Sequence, residues 1–224
     1  MKSSLIKAAL LAVFLLAFAL RFNALGQIPP ALFMDEASNG YNAYSILQTG
    51  RDEHGNFLPY TFKAFGDFNP ALSVYTLIPS IAVFDLNAFS VRLPSALLGT
   101  LSVISIYFFT KKLISSKNGG LIAFFASLFM AISQWHLQFA RYDHEANFML
   151  SFLIISLTLF LYSSKRFSLL IASAIFLGAA LNSYHGAKVL IPLVLVLVII
   201  IYKKELLNYK TKLIFPALIL LISF

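Results

Sequence analysis

At 224 residues, 59% of them apolar and 12% charged, with a mean hydropathy of +0.83, the chain lies far outside the range of soluble globular domains. Its apolar stretches are continuous runs rather than period-two alternations, and about 20 helical residues cross a ~30 Å hydrocarbon layer, so the runs read as transmembrane helices and exclude a membrane β-barrel. The net charge of +8 is not a nucleic-acid signal, because the basic residues sit in short loops between apolar runs; with no cysteine there is neither a disulfide frame nor a thiolate zinc site.

The first apolar segment, Leu5 to Leu20, has Lys2 and Lys7 near its start. It reads as an uncleaved signal-anchor; a cleaved signal peptide ending near Ala24-Leu25-Gly26 is the alternative. In both cases residues 21–87 form a large first extracytoplasmic loop. Turn and boundary signals recur through it at Pro29-Pro30, Gly40, Gly50, Gly55, Pro59, Gly66 and Pro70. Two interfacial helices are predicted there: a short amphipathic one over Glu36 to Leu47, and a more apolar one over Leu72 to Phe84 that Pro79 interrupts.

Further spans are predicted at Ala88 to Thr110, Asn118 to Ser133, Asn147 to Ser163, Ser168 to Ser183 and Ala187 to Tyr202. Leu213 to Phe224 begins another apolar run that is too short to cross, so the chain is expected to be truncated or to end in an incomplete span. The expectation is one membrane domain over 1–224, with six complete spans and a partial seventh.

Charge sets the orientation. If Leu72–Phe84 does not cross and the amino terminus is cytoplasmic, then Lys111, Lys112, Lys117, Lys165, Arg166, Lys203, Lys204, Lys210 and Lys212 all face inward. Of the nine Asp and Glu residues only Glu205 joins them. If Leu72–Phe84 did cross, the later basic loops would face outward, against the rule. The first loop, Gln134 to Ala146 and Asn182 to Lys188 therefore collect at one extracytoplasmic face of a multi-pass protein of the cytoplasmic membrane.

Three polar elements on that face have the residue types for chemistry. In Asp35-Glu36, Asp35 reads equally as a carboxylate general base or as a helix amino-terminal cap favoured by the dipole. Between two spans, Arg141, Asp143, His144 and Glu145 fall within five positions. Arg141 is either the partner of Glu145 in an i,i+4 ion pair or a planar fork for phosphate. Asp143 and Glu145 are candidate oxygen ligands for a divalent cation, whereas Phe148 stands where an HExxH zinc motif needs its second His. In the third element, Lys188 reads either as a snorkelling cation or as a phosphate contact, and His185 as an interfacial histidine or a contact to phosphate or hydroxyl.

Several stretches together resemble the amino-terminal half of GT-C type glycosyltransferases that use polyprenyl-phosphate sugars, the class of the protein O-mannosyltransferases and the aminoarabinose lipid A transferases. They are Met34-Asp35-Glu36, Asn69-Pro70-Ala71-Leu72, Phe89 through Gly99, Ser133 through Arg141 with Glu145-Ala146-Asn147, and Tyr184-His185-Gly186-Ala187-Lys188. The chain departs where the family often has a charged residue or His before Pro-Pro-Leu, and family members usually carry more spans and an outer soluble domain.

The resemblance implies a GT-C-like transmembrane bundle that transfers a sugar, with inversion, from a polyprenyl-phosphate donor to a protein or glycolipid acceptor. It implies Asp35 as general base, Glu36 as the group that orients it or the acceptor, and Asp143 as a second acidic position. Arg141, Lys63, Lys188 and His185 would contact the leaving phosphate, and a divalent cation is a further expectation at Asp143 and Glu145. A transporter or flippase of a lipid-linked or polar solute is the rival reading, as is an inactive fragment. Transporters place ionisable groups near the bilayer midplane, whereas the spans here are nearly free of charge.

Overall fold

The computed structural model describes residues 3–223; Lys2 and Phe224, named above as a flank and a segment end, lie outside them. Among the described residues there are eleven α-helices and one two-stranded hairpin. The chain is an all-α membrane protein whose helices run α1 (Ser3–Phe22), α2 (Met34–Thr49), α3 (Ala71–Phe84), α4 (Ala88–Leu113), α5 (Gly119–Ile132), α6 (Gln134–Phe139), α7 (Glu145–Tyr162), α8 (Phe167–Leu181), α9 (Ala187–Ile201), α10 (Lys203–Leu207) and α11 (Ile214–Ser223).

Two of these helices, α4 and α7, are long and apolar enough to cross a membrane by length and composition. Helices α5, α8 and α9 have 14 or 15 residues. At 1.5 Å per residue that is about 22 Å, short of a full ~30 Å hydrocarbon layer. α4 is the hub: α1, α3, α5 and α7 pack on it, α8 packs on α7, and α9 and α11 pack on α8.

Packing follows membrane rules. Large apolar side chains such as Leu11, Phe129, Val189 and Ile199 point outward, while small and hydroxyl residues line the helix contacts. Ser102 Oγ donates to Ser151 Oγ at 2.8 Å between α4 and α7, and Ser127 Oγ donates to the Val103 carbonyl at 2.8 Å between α5 and α4. Gly99 lets α4 approach the turn before α7 closely, since a Cβ there would lie 2.5 Å from that of Ala140.

Residues Thr61–Ala64 (β1) and Asp67–Pro70 (β2) pair antiparallel, with Thr61 opposite Pro70 and Ala64 opposite Asp67. Sequence analysis places only turns here. The two-residue turn has positive φ at both Phe65 (47°) and Gly66 (93°), the geometry that suits the right-handed twist of a tight hairpin. Phe62 is buried with Ala43, Ile46, Val74 and Leu77, which seats the hairpin against α2 and α3.

Candidate active site

The adjacent acids Asp35 and Glu36 enter α2 as its second and third residues, and the helix treats them differently. Glu36 reaches back one turn to accept from the Phe33 N–H through Oε2 at 3.0 Å, so the capping role expected for Asp35 belongs to Glu36. Glu36 is fully buried and pairs with the equally buried Arg92 of α4: Nε donates to Oε1 at 2.9 Å and Nη2 to Oε2 at 3.2 Å. The Asp143 N–H is a further donor to Oε1, at 3.2 Å.

Arg92 spends its remaining donors on the carbonyls of Leu25 (3.1 Å), Pro29 (2.8 Å) and Ala31 (2.9 Å), so that it ties the loop after α1 to α4. Burying two charges is costly, and here the bidentate geometry and saturated donors offset that cost. Asp35, by contrast, is exposed, and among the described residues its carboxylate has neither a hydrogen bond nor an ion pair.

Around Asp35 stands the turn between α6 and α7. Asp35 is close enough to Tyr142, Asp143 and His144 for its charge to affect their titration. Burial pushes the Asp143 carboxyl up to about 7; a hydrogen bond from Asn39 opposes this, and the charges of Glu36 and Asp35 add to it. Tyr142 is also raised, first by burial and then by Glu36 and Asp35, whereas burial lowers His144.

His144 Nδ1 accepts the Ala146 N–H at 3.1 Å and thereby caps α7, at whose first residue Glu145 sits half-buried. Asn39 Nδ2 donates to Asp143 Oδ2 at 2.8 Å, and Asn69 Nδ2 donates to Asn39 Oδ1 at 3.2 Å. Asn69, at the position where the resembling family often carries a charge or His, thus reaches the acidic pocket through one amide.

The four expected phosphate contacts are not brought together. Arg141 donates through Nη1 and Nη2 to the carbonyls of Leu20 (2.6 Å), Arg21 (3.3 Å), Asn23 (2.8 Å) and Ile28 (3.1 Å), closing the carboxyl end of α1. The expected Arg141–Glu145 ion pair is absent among the described residues, since carbonyl oxygens occupy the guanidinium. Lys63 is exposed on β1 and lines a cavity of about 500 Å³ with Met34, Tyr41 and His54.

Lys188 and His185 share a second cleft, of about 360 Å³, with Tyr60, Tyr75 and Tyr184. His185 Nε2 is 2.6 Å from the Phe68 carbonyl, so β2 touches the acidic pocket through Asn69 and the cationic cleft through Phe68.

Among the described residues no three His, Cys, Asp or Glu side chains come together in a way that would hold a metal ion. Asp143 and Glu145, the oxygen ligands expected from sequence, belong to no such group. One Asp143 oxygen is engaged by Asn39 and the other is buried without a partner.

Arg21 and His136 form a buried pair that residue type and spacing alone do not flag. Arg21, fully buried near the end of α1, donates to the carbonyls of Ala17 (3.0 Å), Ala131 (3.2 Å) and Met130 (3.3 Å) and to His136 Nδ1 (2.8 Å). The available signal was a lone Arg closing an apolar run, which reads equally as a positive flank.

A family model described as dolichyl-phosphate-mannose-protein mannosyltransferase matches residues 69–224. The chain belongs to that family. It is accordingly a membrane glycosyltransferase of the GT-C type, working from a lipid-linked sugar donor. No curated protein and no solved structure matches it. The family match begins at Asn69, so α1, α2 and the Asp35-Glu36 pair lie before it, while Arg92, Asp143, His185 and Lys188 lie within it.

Proposed function

We propose that this mannosyltransferase-family protein transfers a sugar, with inversion, from a polyprenyl-phosphate donor to an acceptor at the extracytoplasmic face, with Asp35 as general base. One observation carries the reading. Of two adjacent acids, Glu36 is wholly committed to structure, and Asp35 is left exposed and unpaired beside Tyr142, Asp143 and His144.

The acceptor hydroxyl attacks the anomeric carbon, its proton passes to the Asp35 carboxylate, the bond from that carbon to the phosphate oxygen breaks, and the polyprenyl phosphate leaves. Lys188 and His185 offset the charge of the leaving phosphate. Lys63, on the far strand of the hairpin, is the secondary cation. Glu36 and Arg92 position α2 and so aim Asp35. Arg141 contributes positive potential while it holds the end of α1.

This reading places the amino terminus in the cytoplasm and the hairpin outside. Reporter fusions after Lys63, Lys117 and Arg166 check it, and an inward-facing Lys63 overturns it. For the chemistry, Asp35→Asn in the full chain is expected to abolish transfer from a polyprenyl-phosphate sugar with insertion and melting temperature unchanged. Retained turnover removes Asp35 from the mechanism.

A further inference from the structure

We propose that the cleft between α5, α6 and α7 seats the hydroxyl-rich headgroup of a glycolipid, the acceptor of this transferase. The cleft has a volume of about 630 Å³, and its lining includes Phe129, Trp135, His136, Phe139, Asn147 and Leu150. Two of these residues carry a buried polar atom without a partner among the described residues: His136 Nε2 and Asn147 Oδ1. His136 is 8% exposed and Asn147 2%.

Their hydrogen-bonding senses are fixed from behind. A guanidinium only donates, so Arg21 makes His136 Nδ1 an acceptor and leaves the hydrogen on Nε2. Asn147 Nδ2 donates to the Ser95 carbonyl (3.0 Å) and to Ser95 Oγ (2.8 Å), leaving Oδ1 as the acceptor.

Two residues of the lining therefore hold an orphan donor and an orphan acceptor, both closed to water in this conformation and each costly to leave unmade. Hydroxyls, which both accept and donate, suit a site with one orphan of each kind. A phosphate or carboxylate would face Asn147 Oδ1 with a like dipole, and an ammonium would leave the His136 N–H unpaired. Burial, then the nearby Arg21 charge, lowers His136 to about 4, so the ring is a neutral donor at pH 7.

At the rim the Trp135 indole is 74% exposed and stacks on Phe139 with centroids 5.8 Å apart, a flat face for the C–H side of a sugar ring. Phe129 and Leu150 continue the wall as exposed apolar surface for an acyl chain. From Phe139 the aromatic contacts run on to His144 (4.6 Å) and Tyr142 (5.8 Å), and from Tyr142 to Phe33 (5.3 Å), two residues before Asp35. The aromatic run thus links the cleft to the segment just before Asp35. The cleft's role as an acceptor site rests on the reading under Proposed function; its glycolipid chemistry does not.

Trp135 is the only tryptophan in the chain, so intrinsic fluorescence reports this cleft alone. In phosphatidylcholine nanodiscs, the full chain titrated with dioleoyl monoglucosyl glycerol is expected to give a saturable emission shift, absent with dioleoylglycerol or with further phosphatidylcholine. His136→Phe removes the donor, and Ala146→Leu fills the cleft from α7 while leaving the Arg21 and Ser95 ties intact. Each is expected to raise half-saturation at least tenfold. A response that does not saturate, is equal for the three lipids, or is unchanged in both variants overturns the proposal. Because binding is read without turnover, loss of this signal while Asp35→Asn still abolishes transfer defeats the cleft alone; the reverse pattern defeats the catalytic assignment alone.

Discussion

The arginines and the lysines near the acidic pocket serve opposite ends. Arg21 and Arg92 are fully buried and Arg141 half-buried, and their terminal guanidinium nitrogens donate to backbone carbonyls, a buried histidine or Glu36, while Arg21 Nε has no partner among the described residues. Lys63 and Lys188 are exposed, each at the edge of a cleft. A planar five-donor fork can satisfy the converging carbonyls of a helix end or loop, which a compact ammonium cannot. A cation for an incoming phosphate has to remain uncommitted. Side-chain type alone assigns Arg141 to phosphate, and its four carbonyl partners reassign it.

The largest expected effect tests the arginine set. Arg92→Ala leaves Glu36 buried without its cation and should cost about 3–5 kcal/mol, read as a loss of folded full chain in detergent. A normal melting temperature in that variant would break the contrast.

Next comes the pH dependence of Asp143. Its folded value of about 7 lies above the ordinary carboxylate range, so between roughly pH 4 and pH 7 the folded state holds the extra proton and stability falls as pH rises. Asp143→Asn should flatten that slope, gaining at most about 4 kcal/mol over wild type at pH 8 and little at pH 4. Thermal melts at the two pH values measure it; equal gains at both would remove Asp143 as the cause.

Smaller is Gly99→Ala, which forces α4 off Ala140 and should cost about 1–3 kcal/mol in the same melt. At the small end for stability lies Lys188→Ala. It should leave the melt within about 0.5 kcal/mol of wild type, as exposed substitutions do, while raising the donor KM roughly tenfold. An unchanged KM would take the lysine set out of phosphate binding.

Much of the helical frame was legible in the sequence. The predicted starts at Leu72, Ala88, Asn118 and Ala187 fall within one residue of those of α3, α4, α5 and α9, because continuous apolar runs and helix breakers act locally. The hairpin was missed although Thr61 to Pro70 holds a short alternation around Gly66, since four-residue strands give little periodic signal.

Within the candidate site, Asp35-Glu36 and the Arg141–Glu145 cluster stood out by residue type. The division of labour between the two acids did not, because it depends on Arg92, 56 positions away in the chain. Arg21 and His136 were equally silent, since their pairing needs the end of α1 and α6 to meet in space.

The hairpin strand β2 serves both clefts. Phe68 and Asn69 are neighbours along one strand, yet the backbone carbonyl of the first engages His185 and the side-chain amide of the second engages Asn39. The peptide plane that carries the Phe68 carbonyl ends at the Asn69 Cα, and the side-chain amide lies two rotatable bonds further on, so the strand sets where both groups sit without linking them rigidly. One four-residue strand therefore supplies an acceptor to the cationic cleft and a donor to the acidic pocket, so the spacing between the two is fixed by the seating of a single hairpin.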